Sequence, residues 1–394
     1  MMKILKNNNL LFIIVIFFII GFGMLTLIKG EKDVSHNENR TLAKLPHLTI
    51  HGYLSGEYQS YLSNALSDQF IFGETIKQKF HEYLTFIDYN KIPRNICKNR
   101  YVNLNDIYVC YNCNQHIMFK YNTLSEEASN TIQRRLEVYG ELNNYIDTYY
   151  YFLSTSAIYN FEKNEYSIDL MKIVKENLEG DYEMSSLTFN NYEDFANNFY
   201  KTDHHWNHKG SYEAYKSIID MMTNDKPLEP VQEIVFDDIY FSGSAARSTQ
   251  IFSYDEKFSV YKFDIPKYTV LVNGKEGEYG KESQYFKGIY DTNRLVNHYG
   301  VFYGGDDGEL VFDFNKPKKD NILILGSSYT NAINKLIASH FNRTYIVDLR
   351  HYDYSVGEKF NIKKYIDEND IDKVLIISDY NFLQDTDFDI EWSE

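Results

Sequence analysis

Ile322-Leu323-Ile324-Leu325-Gly326-Ser327-Ser328-Tyr329, continued by Thr330 to Phe341 and by Tyr345-Ile346-Val347, is the stretch on which the fold turns. Four consecutive large aliphatic residues stopped by Gly-Ser-Ser read as a strand buried on both faces. Thr330 to Phe341 follows with Ile333, Leu336 and Ile337 on one helical face, and Tyr345-Ile346-Val347 is a second strand. Lys359 to Asn369 is again helical in pattern, and Val374 to Ile377 is a third buried strand. Strands alternating with helices predict an α/β fold, a parallel sheet flanked by helices. Such sheets bind ligands beyond the carboxyl ends of their strands, where Ser327 and Ser328 stand.

The rhythm extends upstream. Ser125 to Ile146 reads as a helix capped by Ser125, Tyr149 to Leu153 as a strand ending at Ser154-Thr155-Ser156, and Ser167 to Leu178 as a helix. His51 to about Tyr89 is mostly helical in spacing. From about 225 to 303, strand-like pieces such as Ile234-Val235-Phe236, Val260-Tyr261 and Thr269 to Val272 alternate with glycine-rich turns, which predicts a β-rich insertion.

The chemistry-bearing partner of the serine turn is Thr202-Asp203-His204-His205-Trp206-Asn207, just before a helical stretch to Met222. Serine acyl transfer needs a nucleophile, a base that titrates near neutrality and an acid that orients the base. Ser328 is the expected nucleophile, exposed by the turn that Gly326 opens, with Ser327 as the alternative hydroxyl. His205 is the expected base and Asp203 its orienting acid; in an extended loop their two-residue spacing puts both on one edge and turns His204 away. Gly304, Gly305, Ser327 and Tyr329 are the candidates for the oxyanion and substrate side of the site, the glycines because they permit close backbone approach. Metal binding by His204, His205 and His208 is disfavoured, since the three do not converge from one extended loop, and no metal or diffusible cofactor is expected.

Leu10 to Ile28 is an unbroken apolar run preceded by Lys3 and Lys6. At about 1.5 Å per residue it matches a hydrocarbon core of about 30 Å. The expectation is a cytoplasmic N-terminus (1–9), a transmembrane anchor (10–28), a linker (29–45) and an exported body (46–394). The formal net charge of −16 argues against nucleic acid or other polyanions as partners. Cys97, Cys110 and Cys113 are odd in number, so the chain is no disulfide scaffold, and they read as incidental thiols rather than a zinc site with His116.

Several blocks occur in order: Asn39-Arg40-Thr41-Leu42, Ser67-Asp68-Gln69-Phe70, Thr202 to Asn207, Phe302-x-Gly304-Gly305, Gly326 to Tyr329, and Asp348-Leu349-Arg350. Together they resemble the DHHW protein family, itself similar to the SGNH-hydrolase-like O-acetyltransferases of alginate and other exopolysaccharides. The resemblance covers nearly all of the exported part. It implies an SGNH-like fold, an Asp-x-His motif matched by Asp203 and His205, and a nucleophile matched by Ser328. It also implies a membrane-bound O-acyltransferase that supplies acetyl groups and a cell-surface polysaccharide that receives them. Two positions depart from the pattern: Ser327 precedes the nucleophile where the family has Asp, and Gly-Gly-Asn reads Gly304-Gly305-Asp306. The expected activity is O-acetyl transfer by an anchored extracytoplasmic enzyme, with an esterase or a silent polysaccharide-binding protein as the rival readings.

Overall fold

The computed structural model describes residues 8–35, 40–80, 83, 101–104, 107–110, 116–161, 163–249, 251–252, 255–388 and 390–392, with the side chains of 8–11, 19, 27, 40, 101–104 and 107–110 outside that set. The chain divides into two units, residues 1–96 with 246–252, and residues 97–245 with 253–394.

In the larger unit an eight-stranded sheet is built from β1 (Asp147–Leu153), β2 (Glu183–Leu187), β3 (Thr269–Val272), β4 (Lys275–Glu276), β5 (Glu309–Asp313), β6 (Ile322–Gly326), β7 (Arg343–Val347) and β8 (Lys373–Asp379). The spatial order is β4-β3-β5-β7-β6-β8-β1-β2. From β7 to β2 all neighbours run parallel, whereas β5, β3 and β4 add an antiparallel edge. The α/β reading holds, with a sheet that is parallel where the serine strand sits.

Alternation along the buried strands assigns the two faces. Leu323 and Leu325 of β6 join Val374, Ile376, Tyr150 and Phe152 beneath the helix Glu126–Asn143. Ile322 and Ile324 join Leu375, Ile377, Tyr151 and Leu153 beneath the helix His208–Met222. The result is three layers with β6 fully enclosed, each buried aliphatic side chain contributing about 1.5–3 kcal/mol. Ser125 caps its helix as expected, its side chain accepting from the N–H of Ala128.

The sequence reading departs from the structure in three places. Thr330 to Phe341 is not one helix: a 3-10 segment, Ser328–Ala332, precedes a single α-turn, Asn334–Ala338. Leu349–Val356 is an additional helix, capped by Asp348 and ended by Gly357 at φ 88. Between 225 and 303, the hairpin Gln232–Tyr240/Lys257–Lys262 packs Phe236 and Phe258 against Phe302 and Tyr285, but β3 belongs to the main sheet through its pairing with β5. Short helices, Glu282–Phe286 and His298–Tyr303, also fall in this region.

The smaller unit contains the helix Asn8–Lys29 (22 residues), the helices Ile50–Ser55 and Glu57–Gln69, and helical residues 73–80. Gln69 accepts from the N–H of Lys32 and donates to the carbonyls of Lys32 and Ala43, and Asp68 accepts from the N–H of Ala43. The Asp68-Gln69 pair therefore ties down the segment 29–45. Among the described residues no helix is long and apolar enough to cross a membrane, so the anchor expected over 10–28 stands on the sequence alone. Cys97 and Cys113, and the side chain of Cys110, lie outside the described residues.

Candidate active site

The loop 199–206 is pinched at its base by an antiparallel bridge between Phe199 and Trp206, and the N–H of Tyr200 donates to the carbonyl of His205. Asn207 then caps the helix His208–Met222, its side chain accepting from the N–H groups of Lys209 and Gly210. A Cβ on Gly210 would lie 2.3 Å from the carbonyl oxygen of Asn198, so only glycine lets the helix approach this closely. Trp206 is fully buried and packs edge-on to Tyr329. The loop is thereby fixed at the carboxyl end of β6.

Residues 123 apart in sequence meet there. The Nε2 of His205 lies 2.8 Å from the Oγ of Ser328, and its Nδ1 lies 2.5 Å from Oδ1 of Asp203. The same Oδ1 accepts from the N–H of His205 at 2.9 Å, while Oδ2 accepts from the N–H of Ser244 at 2.7 Å. Burial alone would raise the Asp203 carboxyl. The charge that His205 and His204 carry once protonated and the hydrogen bonds from His205 outweigh it and hold the carboxyl well below the usual carboxylate range. The His205 ring stacks on Tyr299 with centroids 4.0 Å apart, and the Tyr299 hydroxyl donates to the carbonyl of Ser328. This tyrosine, brought in by the helix His298–Tyr303, thus touches both the imidazole of His205 and the backbone of Ser328.

The other predicted residues take different roles. Ser327 lines the cleft onto which Ser328 opens and makes no capping bond with its side chain. Tyr329 packs beside His205, but its hydroxyl donates to the carbonyl of His204, which ties the two loops together. The N–H of Gly304 donates to Gly300 and ends a helix, so it is not open to an oxyanion. A Cβ there would lie 2.2 Å from the Tyr279 ring, which makes the glycine a packing requirement. The carbonyls of Gly304 and Gly305 and Oδ1 of Asp306 all face Nδ2 of Asn331 at 3.2–3.4 Å. Arg350 pairs bidentately with Asp348 and lies 3.9 Å from Asp306.

Asp203, His204 and His205 present candidate metal-ligand atoms within 4.8 Å of one another. His205 engages Asp203 through Nδ1 and Ser328 through Nε2, and His208 instead directs Nε2 to Glu233 at 2.9 Å. The arrangement therefore fits proton transfer.

Sequence reasoning missed the supports of the Asp203 carboxylate. A Cβ on Gly243 would lie 2.2 Å from the Cβ of Asp203, so Gly243-Ser244 can close over the carboxylate only because position 243 lacks a side chain. Beneath the loop, Glu256 accepts from the N–H groups of Lys201 and Thr202 and from the Thr202 hydroxyl. Burial pushes its carboxyl up to about 7 against the pull of those donors. The folded state therefore holds a proton that the unfolded chain releases near 4.5, so this contribution is complete below about 4.5 and is lost as pH rises through 7. Thermal melts from pH 4.5 to 7.5 should show stability falling across this window, and Glu256→Gln should flatten that slope.

Ser328 opens on a cleft of about 270 Å³ whose walls include Thr155, Ser156, His204, Asp379 and Asn381. Its far rim is fixed by Arg135, which donates to the carbonyls of Phe382, Asp385 and Phe388.

No family model and no curated protein matches this sequence. Solved structures share its fold. A DHHW family protein from Eubacterium siraeum is 18% identical with a TM-score of 0.56, over 73% of this chain and 95% of that chain. Bacillus cereus PatB1, solved with a sulfonyl adduct, is 18% identical with a TM-score of 0.52, over 75% of this chain and 99% of that one. At such identity the likeness is one of fold, and the DHHW resemblance read from the sequence is met by a DHHW family structure of the same architecture.

Proposed function

We propose that the chain is an extracytoplasmic O-acetyltransferase that modifies a cell-surface polysaccharide through an acetyl-enzyme on Ser328. The observation that carries this reading is His205 bridging Asp203 and Ser328. In the first step Ser328 Oγ attacks the acetyl carbonyl while its proton passes to Nε2 of His205, and the leaving group departs with that proton. In the second, an acceptor hydroxyl gives its proton to Nε2 and attacks the acetyl-serine, and Ser328 leaves reprotonated. Asp203 keeps Nδ1 protonated and stabilises the imidazolium, and the electron-rich face of Tyr299 favours the same charge.

The membrane is the proposed setting. The run Leu10 to Ile28 sits within a 22-residue helix whose Phe12, Phe17 and Ile28 are 66%, 72% and 79% exposed, an apolar surface suited to lipid. A membrane-bound O-acyltransferase is the proposed acetyl supplier. Hydrolysis of a chromogenic acetate ester, run with and without a neutral oligosaccharide, tests the activity. Acetylated sugar formed at the expense of free acetate is the expected product. Acetate alone, unaffected by sugar, would replace transfer by esterase action.

A further inference from the structure

Beside the base stands a second imidazole for which the triad has no use. His204 was expected to turn away from the site, yet its ring lies against that of His205, with centroids 3.9 Å apart and planes tilted by 36°. Its Nδ1 is 2.6 Å from the Oγ of Ser244 and 3.7 Å from Oδ1 of Asp203. The carboxylate's negative potential favours the tautomer with hydrogen on Nδ1, donated to Ser244. Nε2 then keeps its lone pair. Residue 204 lines the cleft beside Ser328, with its side chain a third exposed. Desolvation and the adjacent His205 push its imidazole down to about 4, so it is neutral at working pH and keeps one acceptor nitrogen.

We propose that His204 is an acceptor-binding residue: its Nε2 takes a hydrogen bond from a sugar hydroxyl next to the one that attacks the acetyl-serine. This rests on the acetyl-transfer reading above. Two imidazoles side by side, one holding a hydroxyl and the other deprotonating its neighbour, suit a pair of hydroxyls on adjacent ring carbons. Thr155, Ser156 and Asn381 also line the cleft and carry uncharged polar side chains. Among the described residues lining the cleft, Arg350 is the one guanidinium and is committed to Asp348, whereas two carboxylates line it, Asp379, which caps the helix Tyr380–Gln384, and Asp385, which accepts from the N–H of Asp387. The acceptor is therefore a neutral sugar, since a uronate would meet like charge.

The test is the partition of the acetyl-enzyme between sugar and water, a ratio that does not depend on how fast the enzyme is acetylated. It is measured on the full chain with a chromogenic acetate ester and a neutral oligosaccharide. His204→Asn keeps a polar atom near the Nδ1 position for Ser244 and deletes the Nε2 position. His204→Gln places a polar atom near the Nε2 position. The Asn variant should lose on the order of tenfold in the transfer-to-hydrolysis ratio, and the Gln variant should recover most of it. An unchanged ratio in the Asn variant, or equal losses in both, would overturn the role of His204 while leaving the acetyl-enzyme intact. Failure of the unaltered protein to form any acetyl-enzyme would instead overturn the reading beneath it, and this inference with it.

Discussion

Ser328→Ala should lower acetyl transfer by about 10⁵- to 10⁶-fold, the scale of removing a nucleophile from a triad that acts as a unit. The substitution deletes one oxygen from a side chain 8% exposed and leaves untouched the carbonyl that accepts from Tyr299. The melting transition should therefore shift by no more than about 1 kcal/mol equivalent. Progress curves for ester consumption, with circular dichroism as the control, separate lost chemistry from lost structure. Retained transfer would move the nucleophile elsewhere, and Ser327 in the same cleft is the hydroxyl to examine next.

Asp203→Asn should cost about 10⁴-fold, because an amide cannot hold the imidazole in the required tautomer. Here the geometry makes the substitution costly in either orientation. The carboxylate accepts from His205 on one oxygen and from the N–H of Ser244 on the other. An amide nitrogen on either side faces a donor, and one bond becomes a repulsion. Stability should change as well. The carboxyl is held below its ordinary value, so its contribution is complete above the unfolded value of about 3.9 and is lost only as pH falls through the lower folded value. Acid titrations of the folded state should show that late loss in the unaltered protein and not in the Asn variant. An Asn variant of full activity would remove Asp203 from the mechanism.

Much of this architecture was legible because burial leaves periodic traces. Ile322 to Leu325 is apolar on both faces since β6 lies between two parallel neighbours under two helical layers. The pairing of Asp203 with His205 was legible from the residue types and their nearness in sequence, although 201–205 is a run of bends rather than an extended segment. What was hidden is tertiary. The bridge between Phe199 and Trp206 turns the loop so that His204 faces the cleft, which alternation along a strand cannot anticipate. Gly243 and Ser244 close on Asp203 from 40 and 41 residues away, and nothing in their own stretch marks them. Gly304 carries a signal for close approach, but the ring it approaches is Tyr279 and its N–H ends a helix. β3 is a short strand among turns, and only its pairing with β5 reveals it as part of the main sheet.

The most direct test of the central claim is mass spectrometry of the protein quenched in acid during turnover of a chromogenic acetate ester. One added acetyl group, mapped to the peptide carrying Ser328 and absent from Ser328→Ala, is the predicted result. Turnover with the acetyl group on another residue, or with no acetylated protein under conditions that trap acyl-serines, would contradict it.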